Sequence, residues 1–145
     1  MELNGETLRF IREHRKDDVR SLALQAPKYP DVDMPVALTQ IAGRQAAAEK
    51  IPSWHEEESV LYPRHLSLEQ CSSEATARYK ASIIPESSSG TLTDLTGGFG
   101  IDCAFLSPKF HHVTYVERQE VLCEIASHNF PLLGLNHTVS YTHLR

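Results

Sequence analysis

Asp94 and Glu117 stand 23 residues apart, and Thr96-Gly97-Gly98-Phe99-Gly100 follows closely on the first of them. A carboxylate attracts a cation or accepts hydrogen bonds from hydroxyls. A glycine turn lets the main chain take positive φ and lets a ligand approach it closely. If a helix follows the turn, the unpaired N–H groups of its first turn point at the same ligand. Asp94, Gly97, Gly98, Gly100 and Glu117 are therefore the candidate binding residues.

These groups meet only if the flanking segments place them side by side. Thr91–Leu95 reads as a strand, Thr96–Gly100 as a turn, and Ile101–Ser107 as a helix stopped near Pro108. Val113–Glu117, VTYVE, is rich in β-branched and aromatic residues and reads as a second strand. Gln119 to Asn129 is again helical, with Val121, Leu122, Ile125 and Ala126 on one face. The order strand, helix, strand, helix predicts an α/β fold with a parallel sheet and a right-handed crossover.

In such a sheet the carboxyl ends of adjacent strands line one crevice, and an acid there accepts the hydroxyl hydrogens of a ribose. A nucleoside-containing cofactor is the natural ligand. A nicotinamide dinucleotide fits less well, because the third glycine of its GxGxxG pattern is replaced here by Cys103. An acid at Asp94 would also repel pyrophosphate. It would attract the ammonium and sulfonium of S-adenosylmethionine.

The preceding residues, 1–84, read as a helical region. Short amphipathic helices are expected around Glu6–His14 and Val19–Leu24, and a third, rich in strong helix formers, over Val36–Ala48. The basic residues of the first twenty positions are offset almost one for one by acids, which describes a solvated face more readily than an RNA-contacting patch. Trp54-His55-Glu56-Glu57-Glu58 reads as a solvated loop rather than a metal cluster. A single helix from Ser67, its N-cap, to Ser82 presents a thin side of Ser72, Ser73, Ala75, Thr76 and Ala77. Pro85–Gly90 reads as a linker, and His111-His112 as a polar turn.

A net charge of −5 and a pI near 5.9 give the chain no overall basic field, so any RNA contact must be local or supplied elsewhere. Cys71, Cys103 and Cys123 are far apart and form neither a zinc pattern nor a disulfide framework. A reducing, cytoplasmic compartment, no metal and no membrane span are expected. Cys103 and Cys123 sit in apolar helical patterns and read as buried structural thiols.

TLTDLTGGFGID resembles the first motif of the class I S-adenosylmethionine-dependent methyltransferases, and Glu117 of VTYVE resembles their ribose-binding acid. LSLEQCSSEATARYKASII followed by DLTGGFGID is similar to the bacterial RNA-methyltransferase-like family whose complete members carry a THUMP-like C-terminal domain. Asn129 and Gly134-Leu135-Asn136 resemble the end of the second helix in many RNA-modifying members. The resemblance covers residues 67–137. It implies an S-adenosylmethionine-dependent methyltransferase acting on RNA, with Asp94, Thr96, Gly97, Gly98 and Gly100 at the methionine and sugar portion and Glu117 at the ribose hydroxyls. Ser72, Ser73 and Tyr79 are weaker candidates, on a helix that closes over the methionine end.

The resemblance also implies a sheet of about seven strands with the substrate-facing motif after the fourth. Two strands were expected in this chain, giving an N-terminal helical region over 1–84 and the first β-α-β-α part of an incomplete Rossmann-like sheet over 85–138. Residues 139–145, VSYTHLR, resemble a translated sequencing adapter and read as a non-native tail. No residue presents itself as a catalytic base, and the fragment alone is expected to be inactive. A dinucleotide-binding oxidoreductase-like domain and a non-catalytic interaction module are the alternatives. Methyl acceptor and oligomeric state are not legible in these residues.

Overall fold

The computed structural model describes residues 3–86, 90–135 and 139–143, the last five as backbone. Its first part is helical: α1 (Gly5–Glu13), α2 (Val19–Leu24), α3 (Met34–Lys50), α4 (Pro52–Glu56), α5 (His65–Gln70) and α6 (Glu74–Ser82). Short polar side chains set three of the starts. Asn4, Asp18 and Asp33 accept hydrogen bonds from the amides of Thr7, Ser21 and Val36, satisfying donors that lack a partner within the helix.

Phe10, Leu22, Met34, Ala37 and Ile41 close a small apolar cluster where α1 and α2 meet the first half of α3. The second half of α3 enters a larger core. There Ala47, Trp54, Tyr62, Leu68 and Ala77 pack with Phe99, Ile101, Val113, Tyr115, Ile125 and Phe130. The helical region and the sheet region thus bury their apolar faces in one core.

Two expectations are corrected in this region. Trp54 is not in a solvated loop: it lies in α4, 3% exposed, with its ring edge-on to Phe99 at a centroid distance of 5.1 Å. The charged residues after it mask an indole that the core needs. Nor is Ser67–Ser82 one helix. It breaks at Cys71–Ser73, because Ser73 turns its hydroxyl onto the amide of Thr76 and caps a new helix.

The second part is β1 (Thr91–Asp94), α7 (Ile101–Leu106), β2 (His112–Glu117), α8 (Glu120–Leu132) and β3 (Val139–His143). All three strands are parallel in the order β1-β2-β3, with Asp94 opposite Tyr115 and Glu117 opposite His143. The sheet therefore has a strand beyond the two expected, formed by the segment that the sequence reading set aside as a tail. His112 opens β2 rather than lying in a turn. The linker's Ser87–Ser89 fall outside the described residues, as does Asn136. Just past the end of α8, Gly134 has a φ of 79° that lets the Leu135 amide bond back to Phe130.

The segment Val60–Pro63, between α4 and α5, is held by side chains from both parts without belonging to a sheet. The Asn129 amide accepts from the Leu61 N–H at 2.9 Å and donates to the Leu61 carbonyl at 2.8 Å. Gln40 does the same for Tyr62, at 2.8 and 2.9 Å. Two side-chain amides supply the pairing that a neighbouring strand would otherwise give. Asn129 is fully buried, so its role is to hold this backbone.

Candidate cofactor site

β1 and β2 end side by side, and the turn after β1 folds over the end of β2. The Gly97 amide donates to the Val116 carbonyl at 2.9 Å. The Gly98 amide donates to Glu117 Oε2 at 2.8 Å, and the Tyr115 hydroxyl donates to the Gly98 carbonyl at 2.5 Å. The turn is thus laced to the second strand through both its main chain and its side chains.

The three glycines have different reasons to be glycine. Gly98 and Gly100 have φ of 54° and 88°, in the left-handed region that side chains disfavour. A Cβ on Gly98 would meet little, whereas one on Gly100 would lie 2.6 Å from the Phe130 ring and one on Gly97 would run into Tyr115. The bareness of Gly97 and Gly100 therefore serves the packing beneath the turn. The sequence reading had assigned it to a ligand above.

Around this turn lies a cavity of about 680 Å³, within the range that holds a nucleoside-sized ligand. All six candidates, Asp94, Thr96, Gly97, Gly98, Gly100 and Glu117, line it. Asp94 is half-buried at the end of β1, and its Oδ1 accepts the Thr96 amide at 3.1 Å. Burial pushes its carboxyl above the ordinary aspartate range, and the like charges of Asp102 and Glu117 add to this. The Thr96 amide and Lys80 oppose it.

Glu117 is 8% exposed. Besides the Gly98 amide, it accepts the amides of Arg118 and Gln119 on Oε1, at 2.7 and 2.8 Å. A carboxylate offers about four lone-pair sites, so three are in use and about one remains for an incoming hydroxyl. Accepting both hydroxyls of a ribose requires Glu117 to release one of these amides, and Gly98 is the one held on Oε2.

The weaker candidates separate. Ser72 lines the cavity, Ser73 is occupied as a helix cap, and Tyr79 is exposed and not among the lining residues. Cys103 is buried, and burial pushes its thiol up to about 12. Cys123 is only half-buried, its thiol also raised by burial. Two cavity residues carried no role in the sequence reading: Asp102, at the second position of α7, and Lys80, in the last turn of α6. Their pairing across 22 residues depends on how α6 packs against α7, and no local pattern encodes that.

The chain matches no family model and no curated protein. It is similar to the solved structure of a "putative methyltransferase from Porphyromonas gingivalis W83", at 29% identity and a TM-score of 0.73. The match covers 94% of this chain and 33% of that protein, so the chain spans about a third of that relative's length. The architecture is that of part of a Rossmann-like methyltransferase fold. Among the described residues no helix is long and apolar enough to cross a membrane.

Proposed function

We propose that the chain carries the S-adenosylmethionine-binding part of a methyltransferase. The observation that carries this reading is one juxtaposition: Asp94 and Glu117 end adjacent parallel strands and share a cavity with the left-handed glycine turn. A crevice at the carboxyl ends of parallel strands is where such sheets take nucleotides. Three carboxylates, those of Asp94, Asp102 and Glu117, line this one, which favours a cationic nucleoside over a pyrophosphate.

When bound, S-adenosylmethionine supplies an electrophilic methyl group on a sulfonium. The chain's own residues bind and orient. Glu117 receives hydroxyl hydrogens at the end of β2, Asp94 supplies negative charge at the end of β1, and Gly98 presents main chain between them. Phe99, wedged against Trp54 and Tyr62, holds the turn in place. Alignment of donor and acceptor and exclusion of water are what such a frame contributes to methyl transfer.

RNA as the acceptor, membership of the THUMP-like-domain family and a cytoplasmic location belong to the same proposal. They rest on the quoted motif and on the dispersed, neutral thiols. The binding test is calorimetric titration of the chain with S-adenosylhomocysteine and with NAD. Binding of the first and not the second supports the proposal. Binding of NAD alone would transfer the site to a dinucleotide enzyme, and binding of neither would favour a non-catalytic module.

A further inference from the structure

One wall of the cavity carries a polar cluster outside the six residues above. Lys80 Nζ lies 2.8 Å from Asp102 Oδ2 and 3.0 Å from Ser72 Oγ, and the Ser72 hydroxyl donates to the same Asp102 oxygen at 2.9 Å. All three residues line the cavity, and among its described lining residues Lys80 is the only cation. An ammonium has three protons to donate, and Lys80 directs two of them at Ser72 and Asp102. One remains. The other oxygen of Asp102, Oδ1, is buried with no hydrogen-bond partner among the described residues, so the carboxylate holds Lys80 from its Oδ2 side alone.

We propose that Lys80, held by Ser72 and Asp102, is a binding residue for the α-carboxylate at the amino-acid end of the ligand. This rests on the S-adenosylmethionine reading and adds to it a recognition element for one end of the molecule. The charges are arranged accordingly. A cavity with three acids attracts any cationic nucleoside, and only at Lys80 does a negative group find a charged partner. Lys80 also acts on Asp94, whose carboxyl it helps keep ionised.

The test compares S-adenosylmethionine with its decarboxylated form, which lacks only the carboxylate, by titration of the unsubstituted 145-residue chain. If the acids alone decide, the more cationic decarboxylated ligand binds as well or better. If Lys80 binds the carboxylate, decarboxylation weakens binding about tenfold or more, the scale of a charge-assisted hydrogen bond. Lys80→Met should then weaken S-adenosylmethionine to the level of the decarboxylated ligand and leave that ligand's affinity unchanged, while Lys80→Arg keeps the preference. Equal loss of both ligands on Lys80→Met would mean that Lys80 only fastens α6 to α7, and would overturn the inference. The comparison of the two ligands on the unsubstituted chain stands even if the variant does not fold. Failure of both ligands to bind that chain would instead overturn the cofactor reading and the inference with it.

Discussion

The carboxylate of Glu117 accepts the Gly98 amide at 2.8 Å, so the acid proposed to receive a ribose is also the group that fastens the turn. The two tasks compete for the same oxygens. Binding of S-adenosylhomocysteine should therefore change the environment of the Gly98 amide more than that of Gly97, which is bonded to the Val116 carbonyl. Amide chemical shifts and hydrogen exchange report this directly. An unchanged Gly98 amide at saturating ligand would show that Glu117 does not exchange one partner for the other.

Replacing Glu117 with Ala should weaken S-adenosylhomocysteine by about 1–3 kcal/mol, the usual scale for hydrogen bonds to a charged group. The same change frees the amides of Gly98, Arg118 and Gln119, so the thermal midpoint should fall as well. Calorimetry and a melting curve on one preparation separate the two losses. Full affinity in a protein with a lowered midpoint would leave Glu117 a structural role alone.

Glycine substitutions should rank by what lies beneath the turn. Gly98→Ala adds a Cβ that makes only an ordinary contact with the Thr96 carbonyl and costs about 1–2 kcal/mol for the left-handed backbone alone. Gly100→Ala adds to a similar strain a clash with Phe130, for which overpacking costs about 1–3 kcal/mol more. Denaturant unfolding should place Gly100→Ala clearly below Gly98→Ala. Equal losses would contradict the packing described here.

How much of this was legible in the residues differs by element. The helix-strand alternation after Gly90 followed from glycine, proline and β-branched placement, which act within a few residues. The break at Cys71–Ser73 was hidden because Ser72-Ser73 fits both a helix interior and a cap, and only the hydrogen bond to the Thr76 amide decides between them. Trp54 was hidden for a different reason. Its neighbours His55-Glu56-Glu57-Glu58 describe a solvated strip, while its burial depends on Phe99, 45 residues away. The six cavity residues were visible because they surround one turn, whereas Lys80 and Asp102 meet only through tertiary packing.

The raised carboxyl of Asp94 gives a pH dependence with a definite sign. Its folded-state pKa lies above its unfolded value, so the folded chain binds more protons in the window from the ordinary value of 3.8 upward. Stability contributed by this group is therefore lost as pH rises through that window. Asp94→Asn should remove that part of the slope in thermal midpoints measured across it. Affinity for S-adenosylmethionine relative to the neutral thioether S-adenosylhomocysteine should rise over the same window, and rise less steeply in Asp94→Asn.

Asn129→Leu should leave both main-chain groups of Leu61 without their partners and cost about 1–3 kcal/mol for each that stays buried. Urea unfolding checks the magnitude. Cofactor affinity, measured where the variant remains folded, should change much less, because Asn129 is not among the residues lining the cavity.

Phe99 belongs to the turn, yet its ring is seated between Trp54 and Tyr62, residues that precede β1 by some distance in the chain. The cavity-lining loop is thus anchored from behind by the N-terminal helices. A shortened version beginning at residue 85 would keep every one of the six candidate residues and lose the seat of the ring between Gly98 and Gly100. The smallest unit that can hold the glycine turn in shape is therefore set by an indole and a phenol, and reaches back at least to Trp54.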